Sequence, residues 1–400
     1  MDTVKSGRPP GFRPDTLRGA PGFFRVGRTT GSDQWWFIDP ADRPFFARGV
    51  HGVHAEADSP HDPAARLRTW GCNTLGCGSD RLYLEEGLAF TPAVDFGAGD
   101  GLFQLAGVRL PDVYDPAWPQ RAHARAAEVC TPLAEERSLL GWFTDDRPVW
   151  PHQPSAQRPG LLQVCLSLEP AFAAYHAAWE FVLALHGGRL EAVARAWAAE
   201  LPNKEALREL TRNEHGLATR GYLRDEARWT EEFARRYFAV ATAAIRAHAP
   251  NHLVLGCRWG GPVAPALRAA LAPPVADVVV LDAADLAGSG AEPVFLADFS
   301  WVKPESTGAP SGRRAHGLTT VERMLRRGRL ALGRAVAHPA VTGYAWSHWS
   351  DRVGEQSPFA GGLVHANGAE AREHTELLTE INLRVEELRH LATVRAEVSP

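Results

Sequence analysis

The chain has 400 residues, 45% of them hydrophobic and 22% charged, with 13 Trp. That excludes a disordered chain and provides for a large apolar core. The formal net charge is −4 and the Arg residues are scattered among Asp and Glu, so neither nucleic acid nor an anionic membrane is expected as the main partner.

Residues 1–22 are rich in Pro, Gly and Arg and contain no apolar leader segment. A flexible arm and a cytoplasmic location are expected. Residues 23–44, FFRVGRTTGSDQWWFIDPADRP, predict a β-hairpin with its turn at Gly31 to Asp33 and WWFID as the returning strand. Four short apolar segments then predict strands: FFARGVHGVH (45–54), CNTLGCGSD (72–80), LAFTPAVDF (88–96) and SLLGWFTDD (138–146). Residues 150–250 are too long for a loop and predict a helical insertion, with helices at 168–186, 188–200 and 203–213, leaning over the catalytic face. Four more strands are predicted at HLVLGCRWG (252–260), ADVVVLDAA (276–284), PVFLADFSW (293–301) and AVTGYAWSHWSD (340–351). Helices of good length, with apolar residues recurring at three and four, are expected at 116–129, 231–248 and 318–336.

Strand followed by helix, eight times over, predicts an α/β protein: one (β/α)8 TIM barrel over residues 23–400, with an N-terminal β-hairpin and a helical insertion between strands four and five. A barrel of about 250 residues tolerates such insertions, so the length does not call for a second domain. An open doubly wound sheet fits less well, because no Gly-rich phosphate loop follows the first strand. The five cysteines, Cys72, Cys77, Cys130, Cys165 and Cys257, form no C-x-x-C pair and are expected to be buried free thiols. No metal-ligand spacing and no nucleotide motif is found, so no cofactor and no metal are expected.

The segments WWFIDPADRPFFARGV, LRTWGCNTLGCGSD, PDVYDPAW, LLGWFTDDRPVW, NHLVLGCRW, PVFLADFSW and VTGYAWSHWSD occur in that order between Phe23 and Leu388. Together they resemble agarase-type and related β-galactosidase-type retaining glycoside hydrolases. The resemblance implies a barrel whose site lies at the C-terminal ends of the strands. In that family a Glu preceded by Asn, in a segment like G-Y-F-V-D-N-E, is the general acid/base at the end of strand four. Here the matching residues are Gly141, Trp142, Phe143, Thr144, Asp145, Asp146 and Arg147. Arg147 thus takes the acid/base position, and a guanidinium, always protonated and without an acceptor atom, cannot shuttle a proton. The family nucleophile is a Glu in a segment like G-E-F-S at the end of strand seven; here Ala297, Asp298, Phe299 and Ser300 stand there. An Asn-Tyr-like end to strand six is replaced by Val280, Leu281, Asp282 and Ala283.

The resemblance makes Asp298, Asp146 and Arg147 the candidate catalytic residues. His54, Asp145, Trp142, Arg258, Asp282, Trp346 and Trp349 are the candidate substrate-binding residues, Trp346 and Trp349 as an aromatic floor. His51 or His54 should face the interior, and His348 is a further mouth residue. Glu214, in RNEHG, follows an Asn as the family acid does, but it reads as a solvated position in the insertion. The altered carboxylate pair leads to a repurposed acid/base enzyme, acting by elimination, isomerisation or cyclisation on a polyhydroxylated or carbonyl-bearing small molecule in biosynthetic metabolism. A genuine glycoside hydrolase using Asp298 and a carbohydrate-binding pseudoenzyme are the alternatives. The partner in each case is a small-molecule or saccharide substrate, and the oligomeric state is left open.

Overall fold

A computed structural model of the chain describes residues 11–55, 62–81, 87–150, 154–259, 264–288, 291–301, 320–351 and 361–398. The first apolar block forms the expected hairpin. Strands β1 (Arg25–Arg28) and β2 (Trp35–Ile38) pair antiparallel, Arg25 opposite Ile38 and Arg28 opposite Trp35, and β3 (Pro44–Phe45) adds a short third strand. Asp33, with φ 53°, makes the left-handed turn between them, a conformation that Asp tolerates better than most residues.

Residues 11–22 correct the expectation of a flexible arm over 1–22. Phe12 and Arg18 make antiparallel bridges to Thr29 and Val26, and Arg18 Nη1 donates to the Asp277 carbonyl at 2.6 Å. Backbone bonding to β1 gives this stretch a fixed place that its Pro and Gly content concealed. Residues 1–10 lie outside the described residues.

Each of the other strand predictions contains a strand: β4 (Ala47–Val50), β5 (Thr74–Leu75), β6 (Ala89–Phe90), β9 (Trp142–Asp146), β10 (Val254–Arg258), β11 (Val279–Val280), β12 (Val294–Phe299) and β13 (Val341–Trp346). Between β6 and β9 lies an extra hairpin, β7 (Leu102–Leu105) and β8 (Val108–Pro111), turned at Ala106 and Gly107, both with positive φ. The order β11-β12-β13-β4-β5-β6 is a six-stranded parallel sheet, and β9 and β10 form a parallel pair. Parallel bridges from Phe90 to Leu139 and from Ala93 to Phe143 link β6 to β9. On the other flank the Asp277 N–H donates to the Val254 carbonyl (2.8 Å) and the Val254 N–H to Asp277 Oδ2 (2.7 Å), joining β10 to the approach of β11. Strands β10 and β13 are buried at every position, as parallel strands covered on both faces require.

The covering helices are α1 (Pro63–Thr69), α2 (Trp118–Cys130), α8 (Pro265–Ala270), α9 (Thr320–Ala337), α10 (Arg372–Asn382) and α11 (Val385–Val398), with the insertion supplying α3 (Leu161–Ser167), α4 (Ala173–Leu185), α5 (Leu190–Trp197), α6 (Lys204–Arg212) and α7 (Arg220–His248). Residues 318 and 319 of the helix expected at 318–336 are outside the described residues. Glu226 of α7 caps α3, its carboxylate accepting from the N–H groups of Leu161 (2.7 Å) and Leu162 (2.9 Å). Arg389 of α11 is buried below the sheet, donating to the carbonyls of Trp35, Val336 and Val341 with its guanidinium 4.4 Å from the Trp36 ring centroid. It ties the hairpin to β13. All five cysteines are buried free thiols. Among the described residues no helix is long and apolar enough to cross a membrane.

Candidate active site

Three side chains from three strand ends meet around one guanidinium. Arg258, the last residue of β10, is fully buried. Its Nη1 donates to Asp146 Oδ1 at 2.7 Å, and its Nη2 donates to Asp298 Oδ1 at 2.7 Å and to the Ser347 carbonyl at 3.1 Å. Asp146 ends β9 and Asp298 lies one residue before the end of β12. A guanidinium fork suits this work because its donors are coplanar and diverge at fixed angles. Burial pushes the Asp298 carboxyl above its usual range, while the Arg258 charge and hydrogen bond oppose the rise.

Arg147 follows directly, with φ 54°. Its N–H donates to the Arg258 carbonyl at 2.7 Å, and this left-handed residue turns the chain out of β9. The Arg147 side chain stays beside the site: Nε is 3.6 Å from Asp146 Oδ1, and Nη1 is 3.4 Å from His348 Nε2. Arg147, Asp146, His348, His54 and Trp349 line a cavity of about 290 Å³. His54 is exposed, its Nδ1 2.6 Å from the Gly52 carbonyl, while His51 is buried with Nε2 2.7 Å from the Ala297 carbonyl. Burial and the neighbouring Arg258 charge hold His51 far below the usual imidazole range, so it is a neutral ring in the wall.

Several expected binding residues stand elsewhere. Successive strand side chains point to opposite sides, so with Asp146 toward Arg258, Asp145 turns outward. It accepts from the Tyr237 hydroxyl of α7 (2.8 and 2.9 Å) and from the Gly97 N–H (3.0 Å). Trp142 and Trp346 have no exposed surface, and Trp346 Nε1 donates to the Gly361 carbonyl at 2.8 Å. Neither ring can carry a sugar, because apolar packing covers both. Trp349 leans on Trp70 with centroids 5.5 Å apart and, though almost fully buried, is among the residues that line the cavity. Asp282, half-buried, faces the head of the 3-10 segment Ala283–Gly288 and lines neither cavity beside Asp146. Glu214 is exposed just beyond α6. The insertion, expected over the catalytic face, contributes no lining residue to these two cavities among the described residues; α7 packs instead beside β9 through Tyr237.

One mouth carboxylate was absent from the expected set. Asp95 accepts from the Asp146 N–H at 2.8 Å and, with Asp146, Cys77 and Thr91, lines a second cavity of about 260 Å³. Among the described residues, no group of three or more His, Cys, Asp and Glu is arranged to hold a metal ion.

No protein-family model matches the chain. β-Agarase A from Vibrio sp. (strain JT0107) is 25% identical over 238 residues, which cover 54% of this chain and 23% of that protein. The chain therefore spans about a quarter of that relative's length. An exo-β-agarase structure superposes with TM-score 0.66 at 18% identity, covering 93% of this chain and 66% of the other. A β-galactosidase from the psychrophilic Marinomonas ef1 gives TM-score 0.55 at 13% identity, covering 86% and 60%. The chain is thus similar in sequence, over about half its length, to a β-agarase, and it shares its fold with agarase and β-galactosidase structures.

Proposed function

We propose that the eight parallel strands close into a (β/α)8 barrel, and that this barrel is a carbohydrate-active enzyme acting on a glycoside with Asp298 as its nucleophile. The bonds at both flanks of the β9-β10 pair support closure. The observation that carries the chemistry is the Arg258 fork, which fixes an Asp298 oxygen at a strand C-terminal end, where enzymes of this architecture keep their reacting groups. A carboxylate so held is oriented to attack an anomeric carbon and to leave again when water cleaves the intermediate. Asp146 fits the role of acid poorly. Its Oδ1 already accepts from Arg258 and has Arg147 Nε beside it, a setting for an acceptor and not for a proton donor.

The relatives favour this reading over elimination, isomerisation or cyclisation in biosynthetic metabolism, whose support is the set of departures from the family pattern at Arg147, Asp298 and Asp282. The test is a panel of activated aryl β-glycosides, followed by the 2-deoxy-2-fluoro analogue of any sugar that is turned over. Expected are a covalent glycosyl adduct on Asp298 by peptide mass mapping and a loss on the order of a thousandfold or more in Asp298→Asn. Turnover that survives Asp298→Asn would reject the nucleophile. Saccharide binding without any turnover would leave the pseudoenzyme.

A further inference from the structure

We infer that Asp95 is the proton donor that position 147 cannot supply; the inference rests on the glycosidase reading above. Asp95 lies in the stretch after β6, where the N–H groups of Val94 and Asp95 donate to the carbonyls of Phe143 (3.0 Å) and Thr144 (2.9 Å). The segment therefore runs beside β9, and Asp95 stands at a strand end next to Asp146. At Asp95 the backbone turns left-handed, φ 57° and ψ 65°. That conformation is uncommon for a side-chain-bearing residue and recurs at functional sites. Its effect is visible in the side chain. Oδ1 is anchored by the Asp146 N–H at 2.8 Å, and among the described residues Oδ2 has no hydrogen-bond partner. The carboxyl is half-buried and borders the cavity it shares with Asp146.

The surroundings of Asp95, burial first, raise its affinity for a proton. Burial and the adjacent Asp146 push Asp95 above the usual carboxylate range, opposed by the bond from the Asp146 N–H and by Arg125. Asp145, Cys77, Cys257 and Tyr237 are the other titratable groups within its electrostatic reach, and Asp80 and Arg81 line the same cavity. The buried Cys77 thiol, pushed up first by burial and then by Asp146, also feels Arg258, Asp95 and Asp298. Geometry joins the three carboxylates through Asp146: its N–H donates to Asp95, and its own carboxylate shares the Arg258 guanidinium with Asp298.

In the first step an Asp298 oxygen bonds to the anomeric carbon while the glycosidic C–O bond breaks. The electron pair goes to the leaving oxygen, which takes the proton of the Asp95 carboxyl. In the second step the Asp95 carboxylate takes a proton from water, whose oxygen displaces Asp298 from the anomeric carbon. Enzyme and charges return to their starting state.

The test compares two aglycones of the preferred sugar, 2,4-dinitrophenol, which leaves without help, and phenol, which needs a proton. In Asp95→Asn, which keeps an acceptor for the Asp146 N–H, kcat/KM for the phenyl glycoside should fall by about 10²–10⁴-fold, with the dinitrophenyl value far less affected. The alkaline limb of the phenyl pH profile should vanish, and added azide should restore turnover as glycosyl azide. Asp95→Glu, still an acid, should keep the alkaline limb, and it serves as the reading if the Asn variant does not fold. Equal losses on both aglycones, or no loss, overturn the role of Asp95 while the Asp298 adduct leaves the glycosidase reading standing. A wild-type protein inert on every glycoside overturns both.

Discussion

Arg258 is the residue on which the site is built, and its worth is electrostatic. Its guanidinium is fully buried, whereas the Asp146 and Asp298 side chains are 23% and 22% exposed. Removing a partner from a buried ion cluster strands the remaining charges, at a cost of about 3–5 kcal/mol. Arg258→Met, close in volume, should lower the denaturant midpoint by that order, and the double variant Arg258→Met/Asp298→Asn should recover part of it. A double variant no more stable than the single one would mean that packing, not charge, sets the penalty. Sequence reading located Arg258 at the mouth through its place in GCRW, but not its two bonds, which depend on how neighbouring strands twist. Asp95 was within reach of the same reasoning. It falls near the end of the expected strand segment 88–96, of which β6 occupies Ala89–Phe90, and the left-handed turn at Asp95 leaves no mark in the apolar period.

At the scale of elements, the legible parts were those whose apolar pattern matched their burial. Helix α3 was missed because all of its seven residues are buried, leaving no amphipathic period to read. Helix α7 runs 29 residues from Arg220, longer than the expected 231–248. Its first half hides buried Asp225 and Glu226 among exposed Arg residues, and Thr219 caps its start by accepting from the Tyr222 N–H. Strand contacts obey a further constraint. Gly343 of β13 pairs with Ala47 of β4, and a Cβ built on it would lie 2.5 Å from the Ala47 carbonyl oxygen and 2.6 Å from its Cβ. The strands would have to part. Gly343→Ala should destabilise by about 1–3 kcal/mol, read as a lowered urea midpoint; an unchanged midpoint would show that this pair has slack.

Across the whole molecule, one buried carboxyl couples the sheet, the mouth loops and the insertion. Asp145 belongs to β9, accepts from Gly97 beyond β6 and from Tyr237 of α7, and its pKa is pushed up to about 6, chiefly by burial. Its ordinary value is 3.8, so between those limits the folded chain binds more protons at this site than the unfolded one. Stability must then fall as pH rises through that window, by about 3 kcal/mol at 1.36 kcal/mol per pH unit. The Arg–carboxylate pairs elsewhere pull in the opposite direction, so the informative quantity is a difference. Asp145→Asn cannot ionise and keeps one acceptor for Tyr237. Relative to wild type it should gain stability steadily from pH 4 to pH 6 and hold that gain above pH 7, in urea titrations at each pH. A difference that stays flat across the range would mean that Asp145 remains an ordinary carboxylate, and that the contact between β9 and the insertion helix is not held under electrostatic tension.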